Sequence, residues 1–384
     1  MLKDKKTNRA ASVRKSALLA ATAFAFAAGV AGARAGDLPD ANQAPVAPAV
    51  SLTPQAPAPV GVFGAGLLDQ GQWALTYAPS WTRLAGNNIG TNLASPQYII
   101  QNVHSAHLPP APGHYGLLRM VPNNFEFFGQ TAAVSYGVTK DVTLIVATTF
   151  WERYVNMDTY HPGTGPSALL GTSTGHTEGI GDTLLAGVWR VYRDNINQIN
   201  VNMGFLLPTG STTANQTLLI PSGVYKFARA FYGMQPGTGT LNALPGVTYS
   251  GVLGKWSWGL AYRGFFPLDN SPQEWRYGAA NDISGWGGYM WQPGLQTTLR
   301  LDYTAQGHVQ GFDPQIVGFA QGANPLFYGG QWLMLLGGVN IAGKYFNVPK
   351  AALSLEVGLP VYQNLNGPQG ARALLANMAL TYKF

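Results

Sequence analysis

The sequence predicts an all-β chain, a transmembrane antiparallel up-and-down β-barrel of about 12 strands. Three observations carry that reading. The last stretch alternates strictly, with Leu374, Ala376, Met378, Leu380, Tyr382 and Phe384 on one face of a strand and Leu375, Asn377, Ala379, Thr381 and Lys383 on the other. A mostly apolar face finished by aromatics is the pattern of a barrel's closing strand, and Tyr382 with Phe384 forms the expected assembly signal. Strands of about ten residues are separated by gaps that are alternately long and short. Finally, only 10% of residues are charged and 12% are aromatic, yet no apolar run after the N-terminal region is long enough for a spanning helix.

The N-terminal region reads as a targeting peptide. Lys3, Lys5, Lys6, Arg9, Arg14 and Lys15 form a basic segment, Ala17 to Val30 is apolar and uncharged, and Ala33-Arg34-Ala35 offers small residues for cleavage. Residues 1–35 are therefore expected to be a signal peptide, its apolar part too short to cross a bilayer. Removing its seven Lys+Arg and one Asp leaves 23 − 7 = 16 basic and 17 − 1 = 16 acidic residues, a net charge of zero. The high isoelectric point belongs to the leader, so nothing points to nucleic acid as a partner. Zero cysteines suits a disulfide-forming compartment but does not require one. Residues 36–60, rich in Ala and Pro, are expected to be an extended periplasmic linker, and 61–384 the barrel.

Strands are predicted near 72–82, 124–136, 142–155, 182–192, 198–208, 243–252, 256–266, 284–292, 295–306, 331–341, 351–362 and 372–384. The long gaps are 83–123, 156–181, 209–242, 267–283, 307–330 and 363–371, and the intervening turns are short. Long loops then share one rim, turns and both barrel ends the other, a sorting that a soluble β-sandwich has no reason to adopt.

Face assignment follows from the alternation. Ile199, Val201, Met203 and Phe205 would face lipid, opposite Asn200, Asn202 and Gly204; Trp256, Trp258 and Leu260 would do so opposite Ser257 and Gly259. An unpaired charge on the lipid side costs about 2–4 kcal/mol at mid-depth. Trp73, Tyr77, Trp81, Tyr136, Trp189, Trp256, Tyr262, Trp332 and Tyr382 are expected in the interfacial girdles. Strands 142–155 and 331–341 are apolar on both faces, so their parity stays open.

The same parity turns a set of charges inward: Asp182, Arg190, Arg263, Arg300, Asp302, Glu356 and Lys383 are the expected lumen-lining residues. Both signs occur together, which suits cross-lumen ion pairs, a polar constriction, or both. The long 209–242 gap carries Phe227, Phe231 and Tyr232, expected at the mouth as an inward-folded segment or as a self-packed cap. Gly179-Ile180-Gly181-Asp182 has no Lys-Ser/Thr after it, so it is not a phosphate loop. Its paired glycines suit a loop entering a strand.

Gly179-Ile180-Gly181-Asp182, with Leu184, Ala186 and Arg190 and then Leu206-Leu207-Pro208-Thr209-Gly210, resembles the outer-membrane family named for the meta-pathway of phenol degradation. Leu244-Pro245-Gly246-Val247-Thr248-Tyr249 and the run Pro360 to Pro368 look like a branch of it. The resemblance spans most of 61–384 and implies a barrel with a part in passing hydrophobic or aromatic compounds.

No catalytic or metal site is expected, and no cofactor. His104, His107, His114, His161, His176 and His308 all fall in the predicted loops, without acidic residues beside the first three. His176 with Glu178 and Asp182 is the nearest approach to a hydrolase triad and lacks a nucleophile. The leading expectation is a barrel in the bacterial outer membrane for passive passage of small hydrophobic or aromatic molecules. Its partners would be lipid, the barrel-assembly machinery and those solutes. The alternatives are a non-conducting barrel acting through its loops and, less readily, a barrel enzyme.

Overall fold

The computed structural model describes residues 56–105, 116–162 and 168–384. The signal peptide, most of the linker, and His107 and His114 lie outside the described residues. In chain order the strands are β1 (Trp73–Gly90), β2 (Asn92–Leu93), β3 (Met120–Thr139), β4 (Val142–Tyr160), β5 (Leu169–Ile180), β6 (Thr183–Arg193), β7 (Asn197–Leu207), β8 (Asn215–Leu219) and β9 (Tyr225–Arg229). They continue with β10 (Asn242–Leu253), β11 (Trp256–Pro267), β12 (Trp275–Arg276), β13 (Ala280–Gln292), β14 (Leu295–Gln306), β15 (Gln310–Gly311), β16 (Gly330–Ala342) and β17 (Ala351–Lys383). One short helix, α1 (Pro96–Asn102), follows β2 and is capped by the Ser95 hydroxyl. Among the described residues no helix is long and apolar enough to cross a membrane.

The sheet runs β1-β3-β4-β6-β7-β10-β11-β13-β14-β16-β17 and closes on itself through antiparallel pairing of β17 with β1. β17 is extended throughout its 33 residues, but it pairs with β16 through 352–365 and with β1 through 365–383. The Lys383 amide donates to the Lys350 carbonyl at 3.0 Å, and the Gln363 side chain bonds both backbone groups of Arg372, so the segment doubles back as a hairpin. Its two arms raise the eleven strands of the cycle to the twelve staves expected.

Closure leaves no open edge in the cycle, which is what allows strands to cross a bilayer at all. The outward positions are apolar: Leu144, Val146, Leu185, Val201, Leu299 and Leu359 are each more than 40% exposed, and their alternate neighbours are buried. Trp73, Tyr77, Trp189, Trp256 and Tyr382 are exposed near the turn rim, as an interfacial girdle requires. Trp332 is a correction. It is 4% exposed and points inward on the side of Met334 and Leu336, with the Arg372 guanidinium 4.5 Å from its ring centre. A strand apolar on both faces gave no parity to read.

The wall is uneven. β1, β3 and β4 are 18, 20 and 19 residues long, against 11 to 13 for β6, β7, β10, β11, β13, β14 and β16. An apolar band of ~25 Å needs only about ten tilted residues, so the tall staves rise above it. Several predicted loops are therefore partly strand, 83–123 among them, since β1 runs to Gly90 and β3 starts at Met120. β4 pairs with β6 through Val142–Ala147 and with β5 through Phe150–Tyr160, so β5 and β6 form one stave broken at Gly181-Asp182. Polar Thr172, Thr174 and His176 alternate there with Ser173, Gly175 and Thr177, so no hydrophobic contrast marks the strand. The gap expected at 363–371 is likewise extended.

Phe384 closes the ring. Its amide and carbonyl exchange hydrogen bonds with Trp73 at 3.1 and 3.2 Å. Deleting Phe384, or changing it to Asp, is expected to leave unassembled chain that stays protease-sensitive and loses heat-modifiable gel mobility. Full assembly of either variant would contradict the sealing role.

Candidate functional site: a plugged lumen with two unlike walls

The barrel interior is filled from both ends. From the turn rim, residues 56–72 enter the lumen and return before β1 begins. Polar side chains on inward positions hold this plug by its backbone. Asn340 donates to the carbonyls of Pro57 (3.4 Å) and Ala58 (3.2 Å), Thr248 to Phe63 (2.9 Å), and Asn200 to Gly64 (2.7 Å) and Ala65 (3.1 Å). On the way out, the Leu68 amide donates to the Thr143 hydroxyl at 2.9 Å. Residues 56–60, expected in the linker, are thus seated on the barrel wall. A segment with no regular structure can be buried only if such partners satisfy its backbone. Asn200, expected to face away from lipid, is one of those partners, with Thr248 and Asn340.

At the top of this loop lies the ionic centre. Arg300 on β14 donates to both oxygens of Glu356 on β17, Nε and Nη2 each at 2.8 Å, and to Asp302 Oδ1 at 2.7 Å. Arg300 and Glu356 are 3% and 1% exposed. A Cβ on Gly61 would lie 2.1 Å from Arg300 Nη2, so only glycine lets the plug cross the triad this closely. Arg263 and Asp282, cross-strand neighbours on β11 and β13, face inward one level further from the turn rim and are half-exposed.

The other expected lumen charges lie elsewhere. Arg190 sits at the turn rim, its guanidinium bridging Asp141 (2.8 Å) and the Lys140 carbonyl. Lys383 is buried at the same rim, where its charge feels Asp69. Asp182, at the β5–β6 break, accepts from the Gly210 amide (2.9 Å), the Thr238 amide (2.8 Å) and the Thr238 hydroxyl (2.6 Å). Of the residues expected to share a lumen, Arg300, Asp302 and Glu356 are in contact, while Asp182 and Arg190 lie at other heights. Parity gives the face of a stave, but the height along it depends on where each strand starts.

Asp182 fastens the long 208–241 segment, which folds inward from the other end. Gly181, Gly210 and Gly237 meet backbone to backbone: a Cβ on Gly210 would lie 2.6 Å from Gly237 Cα and 2.8 Å from Gly181 C. Three glycines far apart in the chain thus converge on one point. Beyond it, β8 and β9 pair as a hairpin and Leu219 is held between Thr159 and Ser173. Arg153 of β4 donates to the carbonyls of Gly233 (2.9 Å) and Gln235. Phe231 and Tyr232 are 6% and 0% exposed, and Tyr232 meets Trp275 and Tyr328 edge-on. Phe227 departs from the expectation: at 71% exposed it stays on the outer face of the hairpin.

These pieces give the interior two unlike walls. One continuous apolar cluster descends from Trp275 and Tyr328 through Leu184, Leu206 and Leu244 to Phe63 of the plug and Val188 near the turn rim. It follows β3, β4, β6, β7 and β10. It also takes in Phe265 of β11 and Ala280 of β13, while the Arg300 triad lies on β14 and β17 and Arg153 of β4 is tied to the inward loop. Among the described residues no group of three or more His, Asp and Glu could hold a metal ion. His176 stacks on Tyr154 at 4.5 Å and lies 3.8 Å from Glu178, on the outward parity of β5.

The chain resembles a solved structure of an outer-membrane channel from Pseudomonas putida F1. It matches at 15% identity over 83% of this chain and 97% of the other, with a TM-score of 0.50. The fold is that of an outer-membrane β-barrel. A toluene transporter of Ralstonia pickettii, TbuX, aligns at 11% identity over 83% and 90% of the two chains, with a TM-score of 0.40. No family model and no curated protein matches the chain.

Proposed function

We propose that this barrel resides in the bacterial outer membrane and passes small hydrophobic or aromatic molecules by passive diffusion. The observation that carries the reading is the apolar cluster running nearly the full height of one interior wall. An apolar solute moving along it exchanges water contact for side-chain contact at about 25 cal/mol per Å², while the one buried cation on that side, Arg153, is held by the Gly233 and Gln235 carbonyls. The sequence resemblance to the family named for the meta-pathway of phenol degradation supports the same cargo class. Lipid and the barrel-assembly machinery are its proposed partners, and the chain is proposed to be a channel and not an enzyme.

Plug and inward loop fill the lumen, which also suits the second reading, a barrel that binds through its loops and conducts nothing. Uptake by proteoliposomes separates the two. Purified protein should accelerate entry of a neutral monoaromatic solute over empty vesicles. Changing Phe231 and Tyr232 together to Ser, with Phe227→Ser as the exposed control, should alter aromatic entry in the first variant only. Equal entry with and without protein would favour the non-conducting reading.

A further inference from the structure

The β11–β13–β14 wall carries a line of interior-facing polar and charged side chains. Arg263 and Asp282 face the interior yet are half-exposed, so water reaches them. Below them the β11–β13–β14 wall continues with Ser284, Asp302 and Arg300, then Ser257, whose hydroxyl accepts from Gln296 at 2.7 Å. At the turn rim a cavity of about 20 Å³, room for one water, opens between the plug at Ala58 and Ala65 and the wall at Ser250, Ser257 and Trp286. What separates the half-exposed charges from that cavity is a small apolar cluster of Val62, Ala261 and Trp286. The benzo edge of Trp286 crosses Gly259, where a Cβ would come within 2.1 Å of it, and the side chain is 6% exposed. An indole laid across a hydroxyl- and charge-lined path, against one valine of the plug, is a hydrophobic constriction.

We propose that this barrel carries a second route, for small hydrated cations, sealed by Trp286 against Val62 and distinct from the apolar wall. Its charges are Arg263, Arg300, Asp282, Asp302 and Glu356, a net of one negative when all are ionised, which favours cations over anions. The proposal rests on the barrel being a channel protein, so its test reads ion conductance and aromatic uptake separately.

Single-channel currents in potassium chloride, in planar bilayers, provide that test. Trp286→Ala and, independently, Val62→Gly should each raise conductance several-fold over wild type, whereas Trp286→Phe, which keeps an apolar ring over Gly259, should not. In a salt gradient the opened variants should show a cation-selective reversal potential, and adding Asp282→Asn to Trp286→Ala should shift it toward zero. Aromatic uptake should stay at the wild-type level throughout. If Trp286→Ala fails to assemble, Val62→Gly decides alone, because it alters only the plug. Wild-type conductance in the opened variants, or a reversal potential indifferent to Asp282→Asn, overturns the cation route. Loss of aromatic uptake in every form, wild type included, would instead count against the channel reading on which it rests.

Discussion

Arg300→Met is expected to be among the most damaging single substitutions in the barrel. It removes the three hydrogen bonds that Arg300 gives to Glu356 and Asp302 and strands two carboxylates, the first almost wholly buried. Breaking a buried pair by deleting one partner costs about 3–5 kcal/mol, because the remaining charge loses its compensation. The plug should also loosen, since Gly61 is fitted to the guanidinium. Heat or urea unfolding in detergent micelles, followed by tryptophan fluorescence, reads the loss. The triple variant R300M/D302N/E356Q, which removes all three charges, should recover most of the stability. If R300M unfolds like wild type, the triad is not buried as described.

The second large effect is expected at Asp182. Its carboxylate holds the Gly210 amide, the Thr238 amide and the Thr238 hydroxyl, joining both ends of the 208–241 segment to the β5–β6 break. Asp182→Ala leaves two backbone donors without their acceptor, and hydrogen bonds to a charged group contribute about 1.5–3 kcal/mol each. The barrel should still assemble, because none of its ladder pairs passes through that side chain. The inward loop should release, giving fast amide exchange and new protease cleavage confined to 208–241. Asp182→Asn, which keeps an acceptor, should fall between the two. An unaltered exchange pattern in the alanine variant would show that the loop is held by its aromatic contacts alone.

Much of the wall was legible because a barrel repeats one physical rule. Ile199, Val201, Met203 and Phe205 must be apolar where lipid is the solvent, and each alternate position is free to be polar, so period two survives in the sequence. The rule failed where its contrast vanished. Trp332 lies on a strand apolar on both faces, and β5 on one polar on both, so the first was turned outward and the second was read as loop.

The sequence by itself determined the closed antiparallel barrel, about twelve staves, and which rim holds the turns. Each follows from local alternation and loop length. Only the tertiary structure decided which inward charges meet. Arg300 reaches Glu356 across 56 residues of chain and leaves Arg190 at the rim with Asp141, and heights along neighbouring staves depend on a register that no single strand encodes. The plug was hidden for a related reason. Residues 57–60 have the composition of a tether, and their burial, with that of 61–66, is made possible by Asn200, Thr248 and Asn340 on distant strands, which supply the hydrogen bonds that water would otherwise give.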